Sequence, residues 1–264
     1  MYIKLGSQKI HYYDHGEGDV IILLHGFMES VFMWKSLSER LSQRFRVLSV
    51  DLPGHGKSDV FENDLSIDHM ATLIQQLLLK LNLHKVNIVG HSMGGYVTLS
   101  FVEHYPTLVN SFILLNSKAG DDSDEVKRKR KLGVQMLDKH PHFVVKESIT
   151  NLFRAETRKD FLDEISGLVE EGQKGSYKGY ADALVAMMHR PDRKKVLQND
   201  VSKLYVAGKF DPVIPFELSK GEMHLIKKCE YKILSHSGHM GFIEEKKLCE
   251  DIIEDFLVRQ TRHQ

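Results

Sequence analysis

The sequence predicts an α/β protein: a mostly parallel sheet with helices on both faces and an inserted helical segment. Three observations carry this. Up to about residue 116, short apolar runs alternate with stretches of helical periodicity, the order of right-handed βαβ units. Val20-Ile21-Ile22-Leu23-Leu24 is apolar without a break, the mark of a strand covered on both faces. From about Lys118 to Asn199 there are helical patterns and charges but no buried strand, and strand–helix order resumes at Val201.

Taken in order, Tyr2–Leu5 and Gln8–Asp14 read as two strands joined at Gly6-Ser7. After a turn at residues 16–19, the strand Val20–Leu24 ends at His25-Gly26-Phe27. A helical pattern runs from about Ser30 to Gln43, with Trp34, Leu37 and Leu41 on one face. The strand Arg46–Val50 leads into Asp51-Leu52-Pro53-Gly54-His55-Gly56-Lys57-Ser58-Asp59, too rich in Gly and Pro for regular structure. Ile67, Met70, Leu73, Ile74, Leu77, Leu78 and Leu81 then recur at helical spacing. The run Val86–Val89 stops at Gly90, a helical pattern follows to about His104, and Val109–Leu115 is another strand. Beyond the middle segment, Val201–Gly208 and Glu230–Leu234 read as strands, and Phe216–Lys228 and Glu244–Arg259 as helices. The last helix is expected to present Leu248, Ile252, Ile253, Phe256 and Leu257 on one side. Both flanks are needed for one core, so residues 1–116 and 200–264 are expected to form it, with 117–199 as a lid.

Bulk properties narrow the partners. The 264 residues suffice for one large α/β domain with an insertion, or two small domains, and 42% of them are hydrophobic. Lys+Arg and Asp+Glu both number 36, and this balance argues against nucleic acid or an anionic membrane as partner. The two cysteines, Cys229 and Cys249, lack C-x-x-C spacing and read as reduced thiols. Residues Met1–Leu5 carry no apolar signal segment, and Val20–Leu24 is too short to span a bilayer, so a soluble, cytoplasmic chain is expected. The basic run Lys127–Lys131 follows Asp121, Asp122, Asp124 and Glu125, the pattern of a solvated lid helix with acid at its start. Gly54-x-Gly56 lacks phosphate-loop spacing, and His69, His84 and His104 are expected at the surface.

The chemistry centres on Gly90-His91-Ser92-Met93-Gly94, a G-x-S-x-G turn between strand and helix. So sharp a turn strains Ser92 and exposes its hydroxyl, with glycines where a Cβ would clash. It also aims the Met93 amide, at the helix start, toward developing negative charge. A serine hydroxyl needs a base, and the base needs an orienting acid. In an open parallel sheet such groups gather at the carboxyl ends of strands. Asp211, in Gly208-Lys209-Phe210-Asp211-Pro212, and the histidines of Ser235-His236-Ser237-Gly238-His239-Met240 stand there. Position alone does not choose between His236 and His239. No Cys, Asp or Glu cluster at ligand spacing makes that pair a metal site. A second oxyanion amide is expected in the loop after Val20–Leu24, with Phe27 as donor.

With these residues placed, the chain resembles the α/β-hydrolase superfamily, in the group of small esterases with a helical cap. The resemblance rests on His25-Gly26-Phe27, Asp51–Ser58, Gly90–Gly95, Gly208–Asp211 and Ser237–Met240, and runs over nearly the whole chain. It implies an α/β-hydrolase fold with an eight-stranded sheet and a cap at about 117–199. It further implies nucleophile Ser92, acid Asp211, base His239 and oxyanion amides from Phe27 and Met93, favouring the second histidine of the loop. Haloalkane dehalogenases and epoxide hydrolases of this superfamily carry Asp as nucleophile, so serine at 92 points to acyl chemistry. The implied reaction is hydrolysis of a carboxylic ester of a small, largely apolar acyl group, without cofactor or metal. A thioesterase, lactonase, C–C bond hydrolase or perhydrolase would use the same triad, and a non-catalytic ligand receptor is the reading of another class. Met28, Leu184, Met187 and Met188 are expected beside Phe27 and Met93 around the substrate, although the same stripe reads equally as cap core. A monomer or homodimer acting on a small-molecule ester is expected.

Overall fold

A computed structural model describes residues 1–61, 64–225 and 229–261. Its strands are β1 (Tyr2–Leu5), β2 (Gln8–His15), β3 (Val20–Leu24), β4 (Arg46–Val50), β5 (Val86–His91), β6 (Val109–Leu115), β7 (Ser202–Gly208) and β8 (Cys229–Leu234). They form one eight-stranded sheet in the order β1-β2-β4-β3-β5-β6-β7-β8. β1 pairs with β2, and β2 with β4, in antiparallel fashion. Every other pairing is parallel. The fold is thus the mostly parallel one that the uninterrupted apolar runs require. Ile21–Leu24 are fully buried, and every residue of β5 is buried, so helices cover successive side chains on both faces.

The helices are α1 (Lys35–Leu41), α2 (Ile67–Lys80), α3 (Met93–His104), α4 (Asp124–Lys139), α5 (Pro141–Thr150), α6 (Leu162–Lys174), α7 (Tyr177–His189), α8 (Phe216–Met223), α9 (Gly241–Glu244) and α10 (Lys246–Thr261). Side chains of Ser66, Ser123 and Ser176 cap α2, α4 and α7 by accepting an amide three residues on. Four helices, α4 to α7, stand between β6 and β7, where the sequence shows no strand. α4 packs on α7 and α5 on α6, and α7 also reaches α2. Buried Leu137, Val145, Ile149, Tyr180 and Ala183 give this segment apolar contacts of its own, continuous with the main core. Backbone meets backbone where α7 crosses the β4 loop: a Cβ on Gly54 would lie 2.6 Å from the Cα of Gly179.

Some element boundaries differ from expectation. The first helical stretch divides into a 3-10 turn at Val31–Trp34, capped by Ser30, and then α1. The last one divides at Glu245 into α9 and α10. Leu248 does not belong to the buried side of α10 and is 47% exposed. The buried stripe follows Cys249, Ile253, Phe256 and Leu257 at helical spacing, and Leu248 falls about 100° to one side of it. Cys249 is a free, buried thiol. The final part of the expected helix Phe216–Lys228, at 226–228, and the side chain of Cys229 lie outside the described residues. His69, His84 and His104 are exposed, as anticipated. No helix among the described residues is long and apolar enough to cross a membrane.

Candidate active site

Parallel register brings the carboxyl ends of the strands level. Leu24 lies beside Gly90, His91 beside Leu115, and Gly208 beside Leu234. The loops leaving these ends therefore share one rim, and each carries one residue expected from the sequence. Ser92 leaves β5, Asp211 leaves β7 and His239 leaves β8.

Ser92 has φ 50° and ψ −114°, a conformation that non-glycine residues rarely adopt. Its surroundings hold it there. Its amide donates to the carbonyl of Leu115 at 3.0 Å. Its carbonyl accepts from Gly95 N at 3.0 Å and from Ser117 Oγ at 2.8 Å. Gly94 is where the turn tolerates no side chain, because a Cβ there would press into the backbone carbonyls of Leu24 and His25. Backbone strain sustained by close packing is a common arrangement at reactive sites.

The structure brings the three distant residues together. Ser92 Oγ lies 2.8 Å from His239 Nε2. On the other side of the ring, His239 Nδ1 lies 2.7 Å from Asp211 Oδ2. The amides of Val213 and Ile214 donate to Asp211 Oδ1 at 2.8 and 2.9 Å. Asn116 Nδ2 donates to Asp211 Oδ2 at 3.1 Å and to the Gly238 carbonyl at 3.0 Å. Burial opposes ionisation of Asp211, but the facing His239 and these hydrogen bonds outweigh it and hold the carboxyl below its ordinary range. An ionised acceptor keeps the proton on Nδ1, which leaves Nε2 free to accept the serine proton. His239 is the member of the loop pair that makes this geometry. His236 is exposed, and its amide donates to Glu245.

The histidine loop is tied down from outside the sheet. The His239 amide donates to the carbonyl of Leu152 at 2.9 Å. Glu244 accepts from Gly238 N at 2.8 Å and from Arg154 N at 2.9 Å. The segment that follows α5, together with Glu244 of α9, thus fixes the position of the imidazole.

A second buried histidine–carboxylate pair lies behind the first. His91 Nδ1 is 3.0 Å from Glu29 Oε2, and His91 Nε2 is 3.0 Å from the carbonyl of His239. Glu29 Oε2 also accepts from Gly26 N at 2.6 Å. A chain of hydrogen bonds therefore links the loop after β3 to the loop after β8. With the Gly26 amide committed to Glu29, the next amide of the loop belongs to Phe27. The ring of Phe27 packs edge-on against Tyr180 of α7, with centroids 5.8 Å apart. Met93, the other expected amide donor, is the first residue of α3 and fully buried. His25 sits beneath: its Nδ1 donates to the Gly26 carbonyl at 2.7 Å, and its Nε2 accepts from Leu52 N at 2.9 Å.

A cavity of about 80 Å³ opens on Ser92 and His239. Phe27 and Met187 line it, together with Glu29, Tyr96 and Arg130. Met28, Leu184 and Met188 do not. Met28 and Leu184 are buried in the hydrophobic core, and Leu184 packs against Gly133 of α4. Arg130 departs from the solvated helix expected for the basic run. It faces inward, with Nε 2.5 Å from buried Asp122. Glu29, Asn116 and Arg130 were not legible as site residues. The faint signal for Asn116 is its place directly after β6, at the same rim as Asp211. A larger cleft of about 620 Å³ lies between β2, the β4 loop and α6, and none of the three triad residues lines it. Chemistry rather than volume therefore locates the site.

These features define a class of protein. The sequence profile of the alpha/beta hydrolase fold matches residues 19–139, and the whole-chain architecture agrees with it. The chain has the α/β-hydrolase fold. It is similar to a thermophilic esterase from Thermogutta terrifontis solved with malate bound, at 28% identity and a TM-score of 0.91, over 96% of this chain and 94% of that one. It is 28% identical over 252 residues to a putative 2-succinyl-6-hydroxy-2,4-cyclohexadiene-1-carboxylate synthase of Bacillus subtilis, covering 90% of each. It is 39% identical over 102 residues to an uncharacterised protein of Mycobacterium tuberculosis, and that match spans only 30% of the mycobacterial chain.

Proposed function

We propose that the protein hydrolyses a carboxylic ester through an acyl-enzyme on Ser92. The observation that carries this reading is the pair of short contacts on opposite sides of one imidazole, 2.8 Å to Ser92 Oγ and 2.7 Å to Asp211 Oδ2. Ser92 Oγ attacks the carbonyl carbon while its proton passes to His239 Nε2. Asp211 stabilises the imidazolium that results. The amides of Phe27 and Met93 hold the oxyanion, and loss of one such donor costs on the order of 10²–10³ in rate. The C–O bond to the alcohol then breaks, and the alcohol leaves with the proton from His239. Water gives a proton to the same nitrogen, its oxygen bonds to the acyl carbon, and Ser92 departs with the proton restored.

Residues 117–199 act in this reading as the cap over a core made of 1–116 and 200–264. Arg130, Ser148, Ile149, Leu152 and Met187 of that segment line the cavity beside Ser92, which supports it as the determinant of acyl choice. Similarity to the Thermogutta esterase favours an ester over other acyl groups. The free thiol of Cys249 is compatible with a reducing, cytoplasmic location.

Fluorophosphonate labelling with peptide mapping tests the assignment. Label on Ser92, with turnover of p-nitrophenyl acetate or butyrate that falls roughly 10⁴–10⁶-fold in Ser92→Ala, is the expected result. Absence of both label and turnover favours a receptor on this fold.

A further inference from the structure

Arg130 reaches the cavity that contains Ser92 and His239 from helix α4. Its Nε is engaged by Asp122 at 2.5 Å. That carboxylate is oversubscribed, because Arg190 lies 2.9 Å and Lys118 3.3 Å from its other oxygen. One negative charge thus faces three positive ones.

The other two cations are occupied. The guanidinium of Arg190 donates to the carbonyls of Met187 and Gly120 and stacks over Tyr96. Lys118 donates to the carbonyl of Asp121. Arg130 differs: its Nη1 meets Met187 Sδ at 3.3 Å, and sulfur is a weak acceptor. Its side chain is 16% exposed and lines the cavity beside Ser92. A guanidinium edge with weak partners, on the wall of a catalytic cavity, suits a planar anion that accepts two parallel hydrogen bonds. Tyr96 and Ser148 add polar groups to the same wall. The volume of about 80 Å³ restricts the occupant to a short chain.

We infer that Arg130 binds a carboxylate on the substrate, so that the preferred substrates are short esters carrying a second, ionised carboxyl group. This rests on the reading of Ser92 as the nucleophile of ester hydrolysis. It replaces the apolar acyl group expected from the Met and Leu stripe, of which Met187 alone lines the cavity.

The test compares p-nitrophenyl hemisuccinate with p-nitrophenyl 4-methylpentanoate, which has an isopropyl group in place of the carboxylate. Each rate is corrected for hydrolysis without enzyme. Wild type should favour the hemisuccinate in kcat/KM. Arg130→Gln should lower the ratio of the two values by about 10- to 100-fold, the range of a charge-assisted pair, and Arg130→Lys should restore part of it. Lys129→Gln, on the exposed face of α4, should leave the ratio unchanged. Succinate should compete with the neutral ester in wild type and lose potency in Arg130→Gln. A ratio near one in wild type, or an equal fall for both esters in Arg130→Gln, overturns the inference while leaving ester hydrolysis intact. If neither ester turns over and Ser92 takes no label, the hydrolase reading fails instead. Calorimetry with succinate then still decides this inference: heat of binding in wild type that is lost in Arg130→Gln supports it, and no heat in wild type overturns it.

Discussion

His91 is held between Glu29 Oε2 and the backbone carbonyl of His239, 3.0 Å from each through its two ring nitrogens, an arrangement that favours the imidazolium. Burial alone would keep the ring neutral, but Glu29 reverses that and raises its pKa. Burial would likewise keep Glu29 protonated, and His91 lowers its pKa instead. A buried ion pair that loses one partner leaves an uncompensated charge, at about 3–5 kcal/mol. Glu29→Gln should show a destabilisation of that order by urea unfolding. The Glu29 contribution is present above its unfolded value of 4.5 and is lost as pH falls through the depressed folded value. The His91 contribution is complete below its unfolded value of 6.5 and is lost as pH rises through the raised folded value. The penalty of Glu29→Gln should therefore peak between about pH 4.5 and 6.5. A penalty that is flat from pH 4 to 9 would exclude an ion pair.

Asn116 positions two members of the triad at once, through Asp211 and the Gly238 carbonyl. Asn116→Ala should lower kcat about tenfold, the value of one good hydrogen bond to a charged group, with little change in KM. An equal rise in KM, with kcat unaffected, would show that Asn116 shapes substrate binding instead.

Two glycine substitutions separate close packing from helix propensity. A Cβ at Gly94 meets the fixed backbone of β3, so Gly94→Ala should lose about 3 kcal/mol or fail to fold. Gly221, in α8, has no atom within 4 Å of an added Cβ, so Gly221→Ala should gain about 0.5–1 kcal/mol. Melting temperatures of the two variants provide the check.

His55 lies fully buried, and burial, with a further push from His25, lowers its pKa from 6.5 to about 3. The folded protein refuses the proton that the unfolded chain accepts. Stability due to His55 is thus complete above pH 6.5 and drains away as pH falls toward 3. Between pH 7.5 and 5.5 this loss amounts to about 1 kcal/mol. His55→Asn lacks the titrating ring and should lose less stability over that interval. Chemical denaturation at the two pH values measures the difference.

Much of the arrangement is legible in the sequence because it is written in local terms. Val20–Leu24 announces a strand covered on both faces, and Gly90-x-Ser92-x-Gly94 announces the turn that follows one. Asp211 and His239 stand out because short strands end just before them. The network around them is not legible in this way. Glu29 becomes a partner of His91 across 62 residues, and Arg130 turns inward because Asp122 is buried beside it. Neither residue has a periodicity or a spacing that marks it, because its role comes from tertiary contact. The cavity lining is obscure for the same reason. Met28, Leu184, Met187 and Met188 are all apolar and share one expected role in the sequence, and of the four only Met187 lines the cavity beside Ser92.

The bare contact between Gly54 and Gly179 bears on protein engineering. Grafting a foreign helical segment in place of 117–199 would transplant whatever residue its donor carries at the crossing. Any methyl group there lands on the main chain of the β4 loop, so a chimera would fail from one misplaced carbon however well its pocket were chosen. Recombination libraries on this scaffold should therefore treat the two glycines as a single inherited unit.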